Sequence, residues 1–198
     1  MRVKICGITN YEDAKDAIDF GADALGFVFY EKSPRYIKPE DAKKLIKKLP
    51  PFVEMVGLFV NHTAEFVNSI YHDTNITLAQ IHFEADKQFY HDLSVRHLKV
   101  VRAKDKKDVL NNKDEVRIVD AFVESYGGEG KRVDLKWFDN SDIQNIILAG
   151  GLNEKNLHEI LKYNFYGVDV SSGVEKSKGK KDKMLLKNFI EMAKYGKI

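Results

Sequence analysis

Val3-Lys4-Ile5-Cys6-Gly7-Ile8-Thr9-Asn10 is a short β-branched run that ends in the chain's single cysteine, followed by a glycine and two residues suited to cap a helix. The stretch behind it, Tyr11 to Phe20, is amphipathic with helical spacing, and Gly21 closes it. The pattern predicts a strand over about 2–6, a tight turn and a helix over about 10–20, with Cys6 at the strand's carboxyl end. In α/β barrels catalytic side chains gather at that end. A lone free cysteine is more often a small buried hydrophobe, and position alone favours the plainer role. The rest of the chain reverses that preference.

The same alternation continues to the end. Strand two is Ala24-Leu25-Gly26-Phe27-Val28-Phe29, and a polar loop, Glu31-Lys32-Ser33-Pro34-Arg35-Tyr36, leads to Pro39 in the first turn of a helix that Pro50-Pro51 stops. Strand three runs from Val53 to Val60, and Asn61-His62-Thr63 caps a helix to His72. Strand four is Thr77 to His82 with a helix near 86–94; strand five is His97 to Ala103 with a weak lysine-rich helix near 105–111; strand six is Val116 to Asp120. A long loop then carries Tyr126-Gly127-Gly128-Glu129-Gly130-Lys131, whose composition suits either a lid over ligand or a plain flexible connection, and a short helix lies near Leu135. Strand seven is Ile143 to Leu148, Asn153 caps a helix to Tyr163, strand eight is Tyr166 to Val170, and the last helix covers about 182–195.

Eight strands alternating with helices in 198 residues imply a parallel sheet with right-handed crossovers. The count predicts a compact (β/α)₈ TIM barrel, one domain over residues 1–198. The alternative, an open doubly wound sheet, is weakened by that count and by the lack of a G-x-G-x-x-G turn after strand one.

Composition excludes several function classes. The chain is 43% hydrophobic and 31% charged with a net charge of +2, which makes no case for nucleic acid or membrane as partner. Its lysines fall mainly on helix faces, as Lys43, Lys44, Lys47 and Lys48 do, where a solvated surface explains them. One cysteine rules out an internal disulfide and suits a reducing cytoplasm; no signal segment or membrane span is read from the sequence. There is no Cys/His cluster with metal-ligand spacing, no Ser-His-Asp signature and no P-loop.

The ends of strands seven and eight carry the next signal. Gly150-Gly151 offers bare backbone N–H groups, and Ser171-Ser172-Gly173 offers hydroxyls and further N–H groups before a short helical turn. Barrel phosphate sites are built from these two loops. Either could be an ordinary glycine turn; both in the right places favour a phosphorylated substrate or cofactor. Strand parity aims Asp120 into the barrel mouth if Val116 and Ile118 share its face, although a loop-capping aspartate accounts for it equally. If Cys6 faces the mouth, Lys4 and Arg2 face the interior below it. A buried ammonium needs a partner, and closure of the barrel brings Asp169 alongside, so a Lys4–Asp169 ion pair is expected. Gln80 and His82 would face inward too, with a satisfied core group as the simpler role for His82.

Lys4-Ile5-Cys6-Gly7-Ile8-Thr9, Gly21 through Phe29, Ser33-Pro34-Arg35-Tyr36, Gln80-Ile81-His82, Tyr126 through Lys131, Leu148 through Leu152 and Val168 through Glu175, in that order, resemble the motifs of the phosphoribosylanthranilate isomerase family of tryptophan biosynthesis. The resemblance implies an Amadori rearrangement of N-(5′-phosphoribosyl)anthranilate to 1-(2-carboxyphenylamino)-1-deoxyribulose 5-phosphate, without cofactor or metal. It implies that Cys6 is the general base, Asp120 the general acid and Arg35 the ligand of the anthranilate carboxylate, with Gly150, Gly151, Asp169, Ser171 and Ser172 binding the rest of the substrate. On this expectation Asp120 has a raised pKa and Cys6 one lowered by cations such as Lys4. One departure stands out: Phe83 occupies the place of the family's glycine after Gln-x-His, where its bulk could narrow the mouth. The rivals are an indole-glycerol-phosphate synthase, which needs catalytic lysines on its strands and an N-terminal extension, and a non-catalytic binder of phosphorylated ligands, which needs neither Cys6 nor Asp120. Assembly as monomer or homodimer stays open.

Overall fold

The computed structural model describes residues 1–110, 115–121, 132–139 and 141–196. The glycine-rich stretch Tyr126 to Lys131 lies outside them. Eight parallel strands pair in sequence order and close on themselves: β1 Arg2–Cys6, β2 Ala24–Val28, β3 Glu54–Phe59, β4 Leu78–Ile81, β5 His97–Ala103, β6 Arg117–Ala121, β7 Ile146–Leu148 and β8 Gly167–Val170. Helices pack outside: α1 Tyr11–Asp19, α2 Pro39–Ile46, α3 Ala64–Thr74, α4 Lys87–Asp92, α5 Lys106–Leu110, α6 Leu157–Ile160 and α7 Lys183–Tyr195.

Local signals account for the helix starts. Asn10 Oδ1 accepts from the Asp13 N–H at the head of α1, Thr63 Oγ1 from Phe66 before α3, Asp86 from Phe89 before α4, and Asp182 from Met184 and Leu185 before α7. Gly21, at φ +103°, takes the left-handed position just past α1. Two elements are shorter than their apolar patterns predict. β7 begins only at Ile146, because Ile143 to Asn145 form a turn whose Ile143 carbonyl accepts from Ile146. Asn153 caps a turn rather than a long helix, its side chain accepting from Lys155 and Asn156, and α6 covers four residues.

The main core lies between the strands' outer faces and the helices, built from residues such as Ile5, Leu25, Phe27, Phe59, Ile81, Val119 and Phe189. Phe83 belongs to it. Parity turns Phe83 away from the mouth, and its ring meets Phe89 of α4 at 5.2 Å, edge to face, so it does not narrow the opening. Inside the barrel the apolar filling divides in two: Cys6, Val28, Leu58 and Val60 on one side, Leu98, Val100, Ile118 and Ala149 on the other. Buried Lys4, Gln80, His82 and Asp169 share this interior. Polar groups at that depth must be paired or put to use.

Arg2 does not follow Lys4 inward. Its side chain is 66% exposed at the barrel's N-terminal mouth and pairs with Asp23 at 2.7 Å, because a long cation at an open end reaches solvent more cheaply than it is buried. An unpredicted hairpin, β9 Glu175–Ser177 with β10 Lys180–Lys181, follows β8. It is strapped to the loop after β1 by Thr9 Oγ1 donating to the Gly179 carbonyl at 2.6 Å.

Candidate active site

Cys6 ends β1 on the inner face and is buried. Lys4, one inward position below, donates to Asp169 Oδ2 at 2.8 Å with both side chains enclosed, so the expected pair is present. Gly26 makes the room: a Cβ there would stand 2.8 Å from Cys6 Sγ and 3.1 Å from Lys4 Nζ. Burial pulls the Lys4 ammonium down, but Asp169 and Cys6 outweigh it and hold the group above its ordinary value. For Cys6 the balance goes against the expectation of a lowered thiol. Burial pushes it up, and Lys4 and Lys181 offset only part of that rise, to which Asp169 adds.

Asp120 sits inward on β6, opposite Arg102 of β5 in register. Burial, reinforced by the charge of Asp169, pushes its carboxyl up to about 7 against the pull of the Ala121 N–H, Arg102 and Lys4. Lys4 and Asp169 thus act on both Cys6 and Asp120. His82 Nε2 lies 3.8 Å from Asp120 Oδ2, and the ring is held down to about 3 by burial, Arg102 and Lys4, so it is neutral at physiological pH. Gln80 Nε2 is 3.5 Å from His82 Nδ1. His82 is thus a buried group with polar neighbours, as a satisfied core histidine would be, and it lies beside Asp120. Its shared parity with Gln80, one step nearer the strand's carboxyl end, was the signal for its inward position. Nothing in the sequence singled out Arg102.

Arg35 comes from the loop after β2, which Ile37 N–H donating to Val28 O at 3.0 Å folds back over the mouth. Its stem crosses Gly7 so closely that a Cβ there would be 2.6 Å from Arg35 Cδ, and Gly7 also holds φ +77°. Its guanidinium is fully engaged on one edge: Nε and Nη2 donate to Glu175 Oε1 and Oε2, each at 2.8 Å.

The two anion-loop candidates meet. Gly150 and Gly151 turn at φ +89° and +62°, and Asn156 Nδ2 donates to the Gly151 carbonyl at 2.9 Å. A Cβ on Gly173 would stand 1.8 Å from the Leu152 carbonyl oxygen, so only glycine lets the Ser172–Val174 turn press against the loop after β7. The loop after β8 is thereby set against Leu152 and Asn153 of the loop after β7. Among the described residues no group of three or more His, Cys, Asp or Glu side chains is placed to hold a metal ion.

A sequence model of the family described as N-(5′-phosphoribosyl)anthranilate isomerase matches residues 3–192. The chain belongs to that family. It is 57% identical to the N-(5′-phosphoribosyl)anthranilate isomerase of a Nitratiruptor species, over 98% of this chain and all of that one. The crystal structure of phosphoribosylanthranilate isomerase from Thermotoga maritima superposes with a TM-score of 0.86 at 38% identity, covering 98% of both chains; that enzyme is elsewhere described as dimeric. A phosphoribosylanthranilate isomerase in complex with reduced 1-(o-carboxyphenylamino)-1-deoxyribulose 5-phosphate superposes with a TM-score of 0.84 at 38% identity, again over 98% of each chain.

As a phosphoribosylanthranilate isomerase, the chain acts on a phosphorylated small molecule in tryptophan biosynthesis. In barrels of this kind active sites lie at the carboxyl ends of the strands, the end at which Cys6, Asp120, Arg35 and the two glycine loops stand here. A cavity of about 850 Å³ opens at the opposite end, lined by Arg2, Glu54, Arg96 and Tyr166 among others, and contains none of these groups.

Proposed function

We propose that Cys6 and Asp120 are the base and acid of the rearrangement. What supports this is the geometry: a thiol on β1 and a carboxyl on β6 face inward around the buried Lys4–Asp169 pair, and burial pushes the Asp120 carboxyl up to about 7, a value suited to giving and recovering a proton near neutrality. Asp120 gives its proton to the furanose ring oxygen, the C1′–O bond breaks, and the anilino nitrogen's electron pair forms the Schiff base. The Cys6 thiolate takes the C2′ proton, the electrons run to nitrogen, and the resulting enolamine tautomerises to the ketone. Atoms and electrons balance within the substrate, so the step calls for no external oxidant or reductant. Arg35 receives the anthranilate carboxylate, with the planar fit that guanidinium offers. Gly150, Gly151, Ser171 and Ser172 receive the phosphate, which fixes the sugar between base and acid. Asp169 Oδ1, buried and without a partner among the described residues, is left to accept from a sugar hydroxyl.

The test follows the fluorescence of phosphoribosylanthranilate generated in place. Cys6→Ala and Asp120→Asn each lower kcat at least about 100-fold while the variants still bind inorganic phosphate. Wild-type turnover in either variant overturns the assignment.

For assembly, the dimeric state of the Thermotoga maritima enzyme supports a homodimer here as well. Phe52 stands fully exposed at φ +70°, an aromatic knob on the rim of the cavity at the N-terminal mouth. On this reading the wild type sediments at twice the chain mass and Phe52→Glu as a monomer; a monomeric wild type at micromolar concentration overturns it. The free thiol of Cys6 supports a reducing, cytoplasmic location, and among the described residues no helix is long and apolar enough to cross a membrane.

A further inference from the structure

Glu175 and Lys181 lie outside the acid–base pair, yet they are among the most enclosed charges of the molecule. The Lys181 side chain is 0% exposed and that of Glu175 5%. Glu175 Oε1 accepts from Lys181 Nζ at 3.0 Å, from the Gly179 N–H at 3.3 Å and from Arg35 Nε, while Oε2 accepts from Arg35 Nη2. Lys181 Nζ also donates to the Ser171 carbonyl at 3.1 Å and reaches Ser171 Oγ at 3.5 Å. Its own backbone N–H donates to Asp13 of α1 at 2.8 Å. The network therefore starts on a helix, passes through the hairpin and ends on the loop after β2, 140 residues away in sequence from Glu175.

A guanidinium has two edges that can grip a carboxylate, Nε with one Nη and the pair of Nη groups. Glu175 fills the first. The second, Nη1 with the remaining N–H of Nη2, is the one left for a ligand. The stem of Arg35 is pinned against Gly7 on the other side. The same Lys181 that steadies Glu175 holds the carbonyl of Ser171, a residue of the phosphate loop. The two cations and one anion leave a net positive charge facing an incoming carboxylate.

We propose that Glu175 and Lys181 are positioning residues that present one chosen edge of Arg35 to the substrate carboxylate and tie it to the Ser171 loop, setting the distance between the sites for the two anionic ends of the substrate. The proposal rests on Arg35 being the carboxylate ligand. A simple strap holding the hairpin down would require the same contacts but not the same kinetics.

Four proteins distinguish them: wild type, Arg35→Ala, Glu175→Gln and the double variant, each measured for KM, kcat and thermal midpoint. Glu175→Gln raises KM about tenfold with kcat changed less than about threefold, because binding to ground state and transition state is lost together. In the Arg35→Ala background the same substitution changes KM less than about twofold, because it acts only through Arg35. Glu175→Asp, which keeps the charge and withdraws it by one methylene, moves KM in the same direction by less and serves if Glu175→Gln does not fold. An unchanged KM in the single Glu175 variants, or an equal rise with and without Arg35, overturns the proposal. If Arg35→Ala leaves KM unchanged, the carboxylate assignment of Arg35 fails first, a result the single Glu175 variants do not mimic.

Discussion

The ammonium of Lys4 lies 2.8 Å from Asp169 Oδ2, both enclosed, directly below the thiol of Cys6. The pair keeps a cation under the sulfur and leaves one Asp169 oxygen unpartnered among the described residues. Lys4→Met removes the cation and strands a buried carboxylate. Unfolding stability falls by about 3–5 kcal/mol. Cys6, deprived of its nearest positive charge, rises further, so the pH midpoint of its alkylation by iodoacetamide moves up. An unmoved midpoint would separate Lys4 from the thiol.

The proposed acid and base, Asp120 and Cys6, titrate in the order opposite to those roles. Below about 7 Asp120 holds its proton and the rate rises with the thiolate fraction, tenfold per pH unit. Above the raised value of Cys6 the thiolate is complete and the rate falls as protonated Asp120 disappears. Between these limits the two trends cancel. The profile of kcat/KM is expected to be a plateau whose lower edge lies at about 7; a single maximum well below that edge contradicts the assignment.

Arg102 faces Asp120 from the adjacent strand, and its charge lowers both Asp120 and His82. Arg102→Met therefore carries Asp120 above 7, shifts the lower edge of the plateau upward and raises the plateau, since more enzyme then holds acid and thiolate together. The readout is the pH profile of kcat/KM in the variant.

Asp120 also costs stability. Its carboxyl stands at about 7 in the fold against an ordinary 3.8. The folded state keeps a proton that the unfolded chain surrenders between those values, so the contribution of Asp120 is fully present below 3.8 and is lost as pH rises through 7. The loss amounts to at most about 4 kcal/mol. Asp120→Asn should be inactive yet more stable than wild type at pH 8, by about 2–4 kcal/mol in urea unfolding, with the difference shrinking toward pH 4.

Gly173 joins the two loops proposed to receive the phosphate through a contact that no side chain can share, 1.8 Å from an added Cβ to the Leu152 carbonyl. Gly173→Ala must part the loops. Inhibition by inorganic phosphate weakens at least about tenfold, while alkylation of Cys6 is unaffected. Equal phosphate affinity would place the anion elsewhere.

What the sequence determined by itself is what depends on local periodicity. Alternating β-branched runs and capped amphipathic segments specify eight βα units, and parity places Lys4, Cys6, Gln80, His82, Asp120 and Asp169 on inner faces. The Lys4–Asp169 pair was legible because only barrel closure had to be added to parity. Tertiary structure decided what depends on contacts between distant loops and on the local dielectric. It turned Arg2 out to solvent, set Phe83 against α4, and brought His82 to Asp120 and Arg35 onto Glu175. Burial raised Asp120 to about 7 and carried Cys6 up against the pull of its cations. The physical reason is that alternation along a strand is a property of neighbouring residues, whereas the desolvation of a charge and the partner it finds exist only once the ring of strands has closed around it.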